Sequence, residues 1–442
     1  MTGLETAAAR VLLGNWRGSY TVPASGLYPH QWSWDSAFIA IGLRHLSPRR
    51  AQLEMDTILS AQWADGRLPQ IVFHSGRDDG YSPGATFWHS ETIPGSPAVP
   101  TAGLIQAPNH ALAVLMVHQA DPAESEHRRF LERAYPRLVR WHDYLRTRRG
   151  GETGLARIVH PWESGMDNSP YWDAALASIS ETYDEDIPRP DLLHADAGHR
   201  PSNTEYGKYL YLAARYRDHD CDDADAGYPF QFEDPGFNAL WARSELALSA
   251  IAELIGEDAE RHLHECDRIT AALESLWSPE LGAYVARDVL TGERQPYRTV
   301  AGLVPLLLPE LLHTSELIAE LRGPHFRLGE VAMVPSHDLT APTFDPDRYW
   351  RGPSWFNTAW LVAEALYERG HDDEARVLSR DMDEAALEHD FPEYLDPYSA
   401  EPRGTTRFSW TAALALDLGK RINAPSSPHR TPMSAVDSIT TP

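Results

Sequence analysis

Apolar residues recur at i, i+3, i+4 and i+7 from the N-terminus nearly to the end of the 442-residue chain, the spacing that gives a helix one buried face. The pattern is clearest over residues 36–46, 49–63 and 110–119, and it returns over 124–146, 203–216, 238–255, 258–276, 355–368, 373–388 and 409–418. Strict alternation, which a half-buried strand needs, is scarce. Several of these stretches open on Ser, Asp or Asn, whose short side chains cap free amides at a helix start. About a dozen helices without any motif repeated at a fixed spacing exclude a strict-period solenoid. They point to an all-α chain of helical hairpins closed into a toroid.

Length alone allows about three domains, yet no internal segment has the composition of a linker, so residues 1–422 are expected to form one domain. Residues 423–442 are small, polar and proline-rich, and are expected to be a disordered tail. Two connections, near 69–108 and 159–201, are longer than joining helices requires. Long ordered loops on a rigid scaffold are where sites are built.

Composition removes several function classes. Acidic residues number 64 against 39 basic ones, a formal charge of -25, which repels a phosphate backbone and an anionic bilayer alike. Nucleic acid and membranes are therefore not expected partners. The longest apolar run, LVPLLLPELL from Leu303, is broken by proline and falls short of the ~20 residues of a spanning helix. Glu5 stands where an export signal carries positive charge, and two cysteines, Cys221 and Cys266, allow at most one disulfide. A reducing cytoplasm is the expected compartment. A homo-oligomer is left open.

Cofactor signatures are missing. No GxxxxGK[ST] or GxGxxG precedes a helix, and neither HExxH nor CxxC occurs. The spacing of His262, His264 and Cys266 is read as part of an exposed helix, and the acidic run from Asp218 as a solvated loop, because it lacks the glycine of a calcium loop. No metal and no cofactor is expected. GxSxG is also absent.

What remains is four clusters of aromatics, Gly/Pro and carboxylates. LYPHQWSWDSAF (27–38) crowds Tyr28, Trp32, Trp34 and Asp35 at a helix start, where Asp35 would serve at least as N-cap. PWESGMDNSPYWD (161–173) holds Glu163, Asp167 and Asp173 among tryptophans. DRYWRGPSWFN (347–357) supplies Tyr349, Trp350, Arg351, Gly352 and Trp355, and FPEYLDPYSAEPRG (391–404) supplies Glu393. A carboxyl beside an indole loses hydration and holds its proton to higher pH, as a general acid must. Aromatic faces stack on pyranose rings, and carboxylates accept bonds from sugar hydroxyls. Glycoside hydrolysis needs one protonated and one ionised carboxyl across the scissile bond, and the second and fourth clusters can supply one each.

Taken in order, YPHxWSWD, WESGMDNSPxWD, YWRGPxW and FxEYxxP resemble glycoside hydrolase family 63, and within it the small bacterial branch of glucosylglycerate and mannosylglycerate hydrolases. The resemblance spans about residues 27–418. It implies an (α/α)6 barrel and an inverting mechanism on a small α-glucoside or α-mannoside, with Asp167 as general acid and Glu393 as general base. It further implies that Tyr28, Trp32, Asp35, Gln106, Trp350 and Gly352 surround the glycosyl ring, that Arg200, Tyr206 and Tyr81 hold a small acid such as glycerate, and that Gln70 and Tyr349 also bind substrate. Glu163 and Asp173 fall to supporting roles. Two positions depart from the pattern: Gln70 stands where the branch carries His, and Phe408 where it carries Gln. An α-glucosidase on a disaccharide or glucosyl-polyol, a sugar-binding barrel without turnover, and a sugar epimerase are the rival readings.

Overall fold

The computed structural model describes residues 3–183, 188–193 and 196–422. The expected tail at 423–442 lies outside the described residues. Twelve α-helices carry the fold: α1 (Gly3–Asn15), α2 (Ser33–Leu43), α3 (Pro48–Ser60), α4 (His110–Ala120), α5 (Phe130–Tyr144), α6 (Asn203–Asp218), α7 (Pro235–Ile255), α8 (Glu260–Leu273), α9 (Thr314–Arg322), α10 (Phe356–Glu368), α11 (Asp372–Glu388) and α12 (Ser409–Ile422). Helix α2 packs on α4, α4 on α7, α7 on a 3-10 segment (Val300–Leu307), that segment on α10, α10 on α12, and α12 back on α2. Outside this closed inner ring lie α1, α3, α5, α8, α9 and α11, each against an inner neighbour. This is the (α/α)6 barrel.

The two rings differ in sequence because they differ in surroundings. Every residue of α2 is buried, as are residues 110–118 of α4, and a helix enclosed on all sides is apolar all round. Helix α5 instead buries Phe130, Leu131, Ala134, Tyr135, Leu138 and Trp141 and turns its charged positions outward. The expected helix at 124–146 is in fact two, Pro122–His127 and α5, because Arg129 adopts a left-handed conformation (φ 51) between them.

Val300–Leu307 was not foreseen as part of the ring. Pro305 inside it removes an amide donor, and an added Cβ on Gly302 would lie 2.3 Å from the Tyr284 carbonyl oxygen. The segment therefore winds as a tight 3-10 coil against strand Ala283–Tyr284. Helices α1 and α9 are likewise additions to the sequence reading. Among the described residues, no helix is long and apolar enough to cross a membrane.

Very short strands fix the long loops. Strand β1 (Gln31–Trp32) pairs antiparallel with β2 (Ile71–Val72), Trp32 opposite Ile71, which ties the first aromatic cluster to the first long loop. Strand β3 (Ser354–Trp355) pairs with β4 (Tyr394–Leu395), and β4 with β5 (Pro402–Arg403). Trp355 faces Tyr394 in that register. The third and fourth clusters are thereby joined, and Glu393 is set at the start of β4.

Candidate active site

One cavity enclosing about 910 Å³, counted to its open mouth, takes wall residues from all four clusters. Asp167 and Glu393 both line it. So do Tyr28, Trp32, Asp35, Gln106, Tyr349 and Trp350, and so do Gln70, Tyr81, Arg200 and Tyr206. Gly352 does not. Its amide donates to Ser336 Oγ (3.0 Å), and a Cβ there would lie 2.3 Å from the Asp345 carbonyl oxygen, so its role is close packing of the loop.

The backbone around Asp167 is pinned while its carboxyl is not. The 3-10 turn Pro161–Ser164 ends at Gly165, whose φ of 75 is left-handed. A Cβ at Gly165 would lie 2.3 Å from Trp34 Cη2, so only glycine lets the chain lie on that indole. Ser164 Oγ accepts the Met166 amide (2.9 Å), Trp172 Nε1 donates to the Met166 carbonyl (2.9 Å), and Tyr209 Oη donates to the Asp167 carbonyl (2.9 Å). Among the described residues no other side chain hydrogen-bonds the Asp167 carboxyl. Burial pushes that carboxyl up to about 7, with the Arg200 charge opposing the rise and the Glu393 charge adding to it. A group poised there carries a proton to donate near neutral pH.

Glu393 is 1% exposed and surrounded by donors. Its Oε1 accepts from Tyr28 Oη (3.0 Å) and Tyr349 Oη (3.4 Å), and its Oε2 from Arg200 Nη2 (3.1 Å) and the Thr405 amide (3.1 Å). Arg200 stacks its guanidinium 4.4 Å over Tyr349 and gives Nη1 to Tyr28 Oη at 3.2 Å. Tyr349 itself has φ 38, a conformation that costs a non-glycine residue and persists where packing enforces it, often at functional sites.

The sugar-sized space has aromatic and acidic walls. Trp350 and Trp355 stack with centroids 4.0 Å apart, and Trp355 stacks on Tyr394 at 4.4 Å. Asp35 is not an N-cap. Trp32 occupies that place without a side-chain cap bond, and Asp35 lies in the first turn of α2, where burial raises its carboxyl well above the ordinary range. Gln106 Oε1 accepts the Trp34 amide at 3.2 Å. Gln70 leaves Oε1 buried without a partner, and Phe408 meets Tyr28 edge-on at 5.8 Å.

The other acids of the second cluster are structural. Glu163 is fully buried and takes the Arg149 fork at 2.6 and 2.7 Å together with the amides of Ile105 and Val159. Asp173 pairs with Arg351. Two sequence expectations need correction. Asp223, in the run read as a solvated loop, is buried and bonds Arg149 Nε at 2.7 Å, because the loop folds back to neutralise that arginine. His262 and Cys266 are buried, with His262 Nδ1 2.6 Å from Glu245, and only His264 faces solvent. Among the described residues no group of three or more His, Cys, Asp or Glu can hold a metal.

The cavity also uses residues that the sequence reading did not assign to it, including Trp162, Tyr209, Trp410 and Asp191. Tyr209 was within reach: it lies three positions after Tyr206 on α6, and that spacing puts both on one helix face. Asp191 carried no signal.

A ring of paired helices around an aromatic pocket with two acids in its wall has the features of a glycoside hydrolase. The sequence profile of the mannosylglycerate hydrolase MGH1-like glycoside hydrolase domain matches residues 28–411. The chain is similar to the mannosylglycerate hydrolase of Rubrobacter radiotolerans, 39% identical over 94% of this chain and 96% of that one. It is also similar to the glucosylglycerate hydrolase of Mycolicibacterium hassiacum, 37% identical over 94% and 97%. The crystal structure of the GH63 mannosylglycerate hydrolase from Thermus thermophilus with Tris and D-glycerate superposes with a TM-score of 0.87 at 39% identity, covering 94% of this chain and all of that one. The chain belongs to the MGH1-like glycoside hydrolases of family 63.

Proposed function

We propose that this glycosidase hydrolyses a small 2-O-α-glycosyl acid of the glycerate type with inversion at the anomeric carbon. Asp167 gives its proton to the leaving oxygen as the glycosidic C–O bond breaks. Glu393 takes a proton from the water whose oxygen bonds to the anomeric carbon from the opposite face. Glu393 then releases its proton and Asp167 takes one up, both by exchange with solvent, which restores the starting state. Asp35 and Gln106 hydrogen-bond hydroxyls of the sugar, Trp350 offers a stacking face, and Arg200 pairs with the aglycone carboxylate. The observation that carries this reading is an unpaired carboxyl held near 7 in the same cavity as a donor-ringed Glu393.

Support for the acid aglycone comes from the activities named for the relatives and from Arg200, whose fork suits a carboxylate. The decisive measurement is proton NMR of fresh product from 2-O-α-glucosylglycerate and 2-O-α-mannosylglycerate. The β-anomer should appear first, and initial release of the α-anomer would overturn the inverting assignment.

A neutral aglycone is a second reading, favoured by Phe408 and by the unpartnered Gln70 Oε1 in the cavity wall. A kcat/KM for an α-linked disaccharide or glucosyl-polyol above that for both glycerates would establish it.

A further inference from the structure

Glu393 has its acceptor directions taken. A carboxylate offers about four acceptor directions, and Tyr28, Tyr349, Arg200 and the Thr405 amide fill them. A general base must itself hydrogen-bond the water it deprotonates, so one donor has to leave before the reaction can start. The Thr405 amide cannot. It belongs to a backbone pair in which the Glu393 amide donates to the Thr405 carbonyl at 2.8 Å, and Gly404 seals the same side, a Cβ there falling 2.3 Å from Oε2. The two tyrosine rings are held edge-on by aromatic neighbours, the partly buried Tyr28 by Trp32 and Phe408 and the buried Tyr349 by Trp355 and Tyr394.

Arg200 is different. It stands just after the short turn Ala197–His199, before α6 begins, and its Nε is buried without a hydrogen-bond partner. It is also the one cation among the described residues lining the cavity, against Asp35, Asp167, Asp191 and Glu393. An anionic aglycone entering this acidic space finds a single favourable partner, the guanidinium already bound to the base.

We propose that Arg200 is a latch on Glu393: a carboxylate on the aglycone draws the guanidinium to itself and so frees Oε2 to hold and deprotonate the attacking water. Selectivity for acid aglycones then arises in turnover as well as in binding, because a neutral glycoside occupies the cavity with the base still occupied. Binding energy from a group remote from the scissile bond is thus used to complete the reactive constellation. The inference rests on the assignment of Asp167 and Glu393 given above.

The test compares 2-O-α-glucosylglycerate with 2-O-α-glucosylglycerol, which differs only in carrying CH₂OH for the carboxylate, or the matching mannosides if those are the substrates. Wild-type kcat should favour the acid by about 10-fold or more, beyond any difference in KM. In Arg200→Met, kcat on the acid should fall while kcat on the neutral glycoside rises above wild type, since its base is no longer held. A gain on one substrate with a loss on the other is not what a merely structural arginine gives. Equal losses on both, or an acid preference in kcat that survives the substitution, would overturn the latch.

A second measurement uses the unaltered protein. An α-glycosyl fluoride of the accepted hexose needs little help from the acid, so its hydrolysis isolates the water-activating step. Added formate should raise kcat saturably in the wild type and leave Arg200→Met unchanged, whereas formate acting purely as an inhibitor would count against the proposal. Asp167→Asn and Glu393→Gln are assayed alongside. Full activity in either sinks the two-carboxylate assignment and the latch with it. Activity lost in both, with an unaltered substrate ratio in Arg200→Met, sinks the latch alone.

Discussion

Glu163 and Asp167 stand four positions apart in one loop, and their surroundings are opposite. Around Glu163 the protein converges an arginine fork and two backbone amides, at 2.6 to 3.1 Å, and excludes solvent entirely. Around Asp167 it fixes the main chain on both sides and leaves the carboxyl in the cavity wall, with no other side chain among the described residues to satisfy it. The first arrangement ties segments 104–106 and 159–163 to Arg149 and holds them still. The second makes the charged form costly, so the proton stays. On the roles proposed, reactivity comes from what is withheld from a carboxyl, and rigidity from what is supplied to its neighbour.

The largest expected effect separates the two in activity. Asp167→Asn should lower kcat by about 10³-fold or more, the range for removing a positioned acid, while leaving the unfolding temperature at or above that of the wild type. Turnover of a glycosyl-glycerate within about tenfold of wild type would end the assignment.

The reverse substitution separates them in stability. Glu163→Gln keeps the shape and removes the charge, leaving Arg149 buried with Asp223 as its remaining anion. Breaking one side of a buried pair costs about 3–5 kcal/mol, measurable as a lower urea midpoint. If Glu163→Gln unfolded at the wild-type midpoint, the contrast between strut and acid would be empty.

The barrel was readable chiefly through its inner ring: all five inner helices start within three residues of their expected places, whereas the outer helices α1 and α9 were missed. The segment Val300–Leu307 was missed as well. Its glycine obeys a packing requirement set by Tyr284, far from any local pattern, and its proline removes an amide donor from the coil. In the site, Asp167 and Glu393 were singled out from aromatic context and family resemblance, and both line the cavity. What could not be read was pairing across the chain: that Asp223 turns inward to meet Arg149, or that Arg200 bonds Glu393. Such partners are distant in sequence and follow no spacing rule. Asp35 looked like a cap because it sits beside a helix start, and the strand pairing of Trp32 with Ile71 goes with a start three residues earlier.

Two intermediate effects probe how the loop serves Asp167. Gly165→Ala puts a methyl group on Trp34 at a left-handed φ. It should cost about 1–3 kcal/mol of stability from strain and overpacking, and kcat should fall because the carboxyl is displaced. An alanine variant with wild-type kcat would show that the main-chain pinning is dispensable. The pH profile is the next probe. Since Asp167 must be protonated to act and its carboxyl is held at about 7, kcat/KM should decline as pH rises through about 7. The same shift makes the fold lose stability as pH rises from 3.8 towards 7, because the unfolded chain releases that proton first. Asp167→Asn should abolish that loss. A rate profile flat to about pH 9 would assign the proton to another group.

The smallest effect belongs to Asp173, and it tests whether burial or pairing sets the contrast. Asp173 meets Arg351 with both oxygens, as Glu163 meets Arg149, and the pair likewise joins the acid's loop to another cluster. The difference is water: the Asp173 side chain is 37% exposed and that of Glu163 not at all. Solvent can replace the lost charge at the first site and cannot reach the second. Exposed pairs are worth about 0–1 kcal/mol, so Asp173→Asn should shift stability by about 1 kcal/mol or less and leave kcat within about twofold. A loss equal to that of Glu163→Gln would mean that the paired geometry alone, with or without water, supports the loop, and the account of why Glu163 is a strut would have to be rebuilt on connectivity.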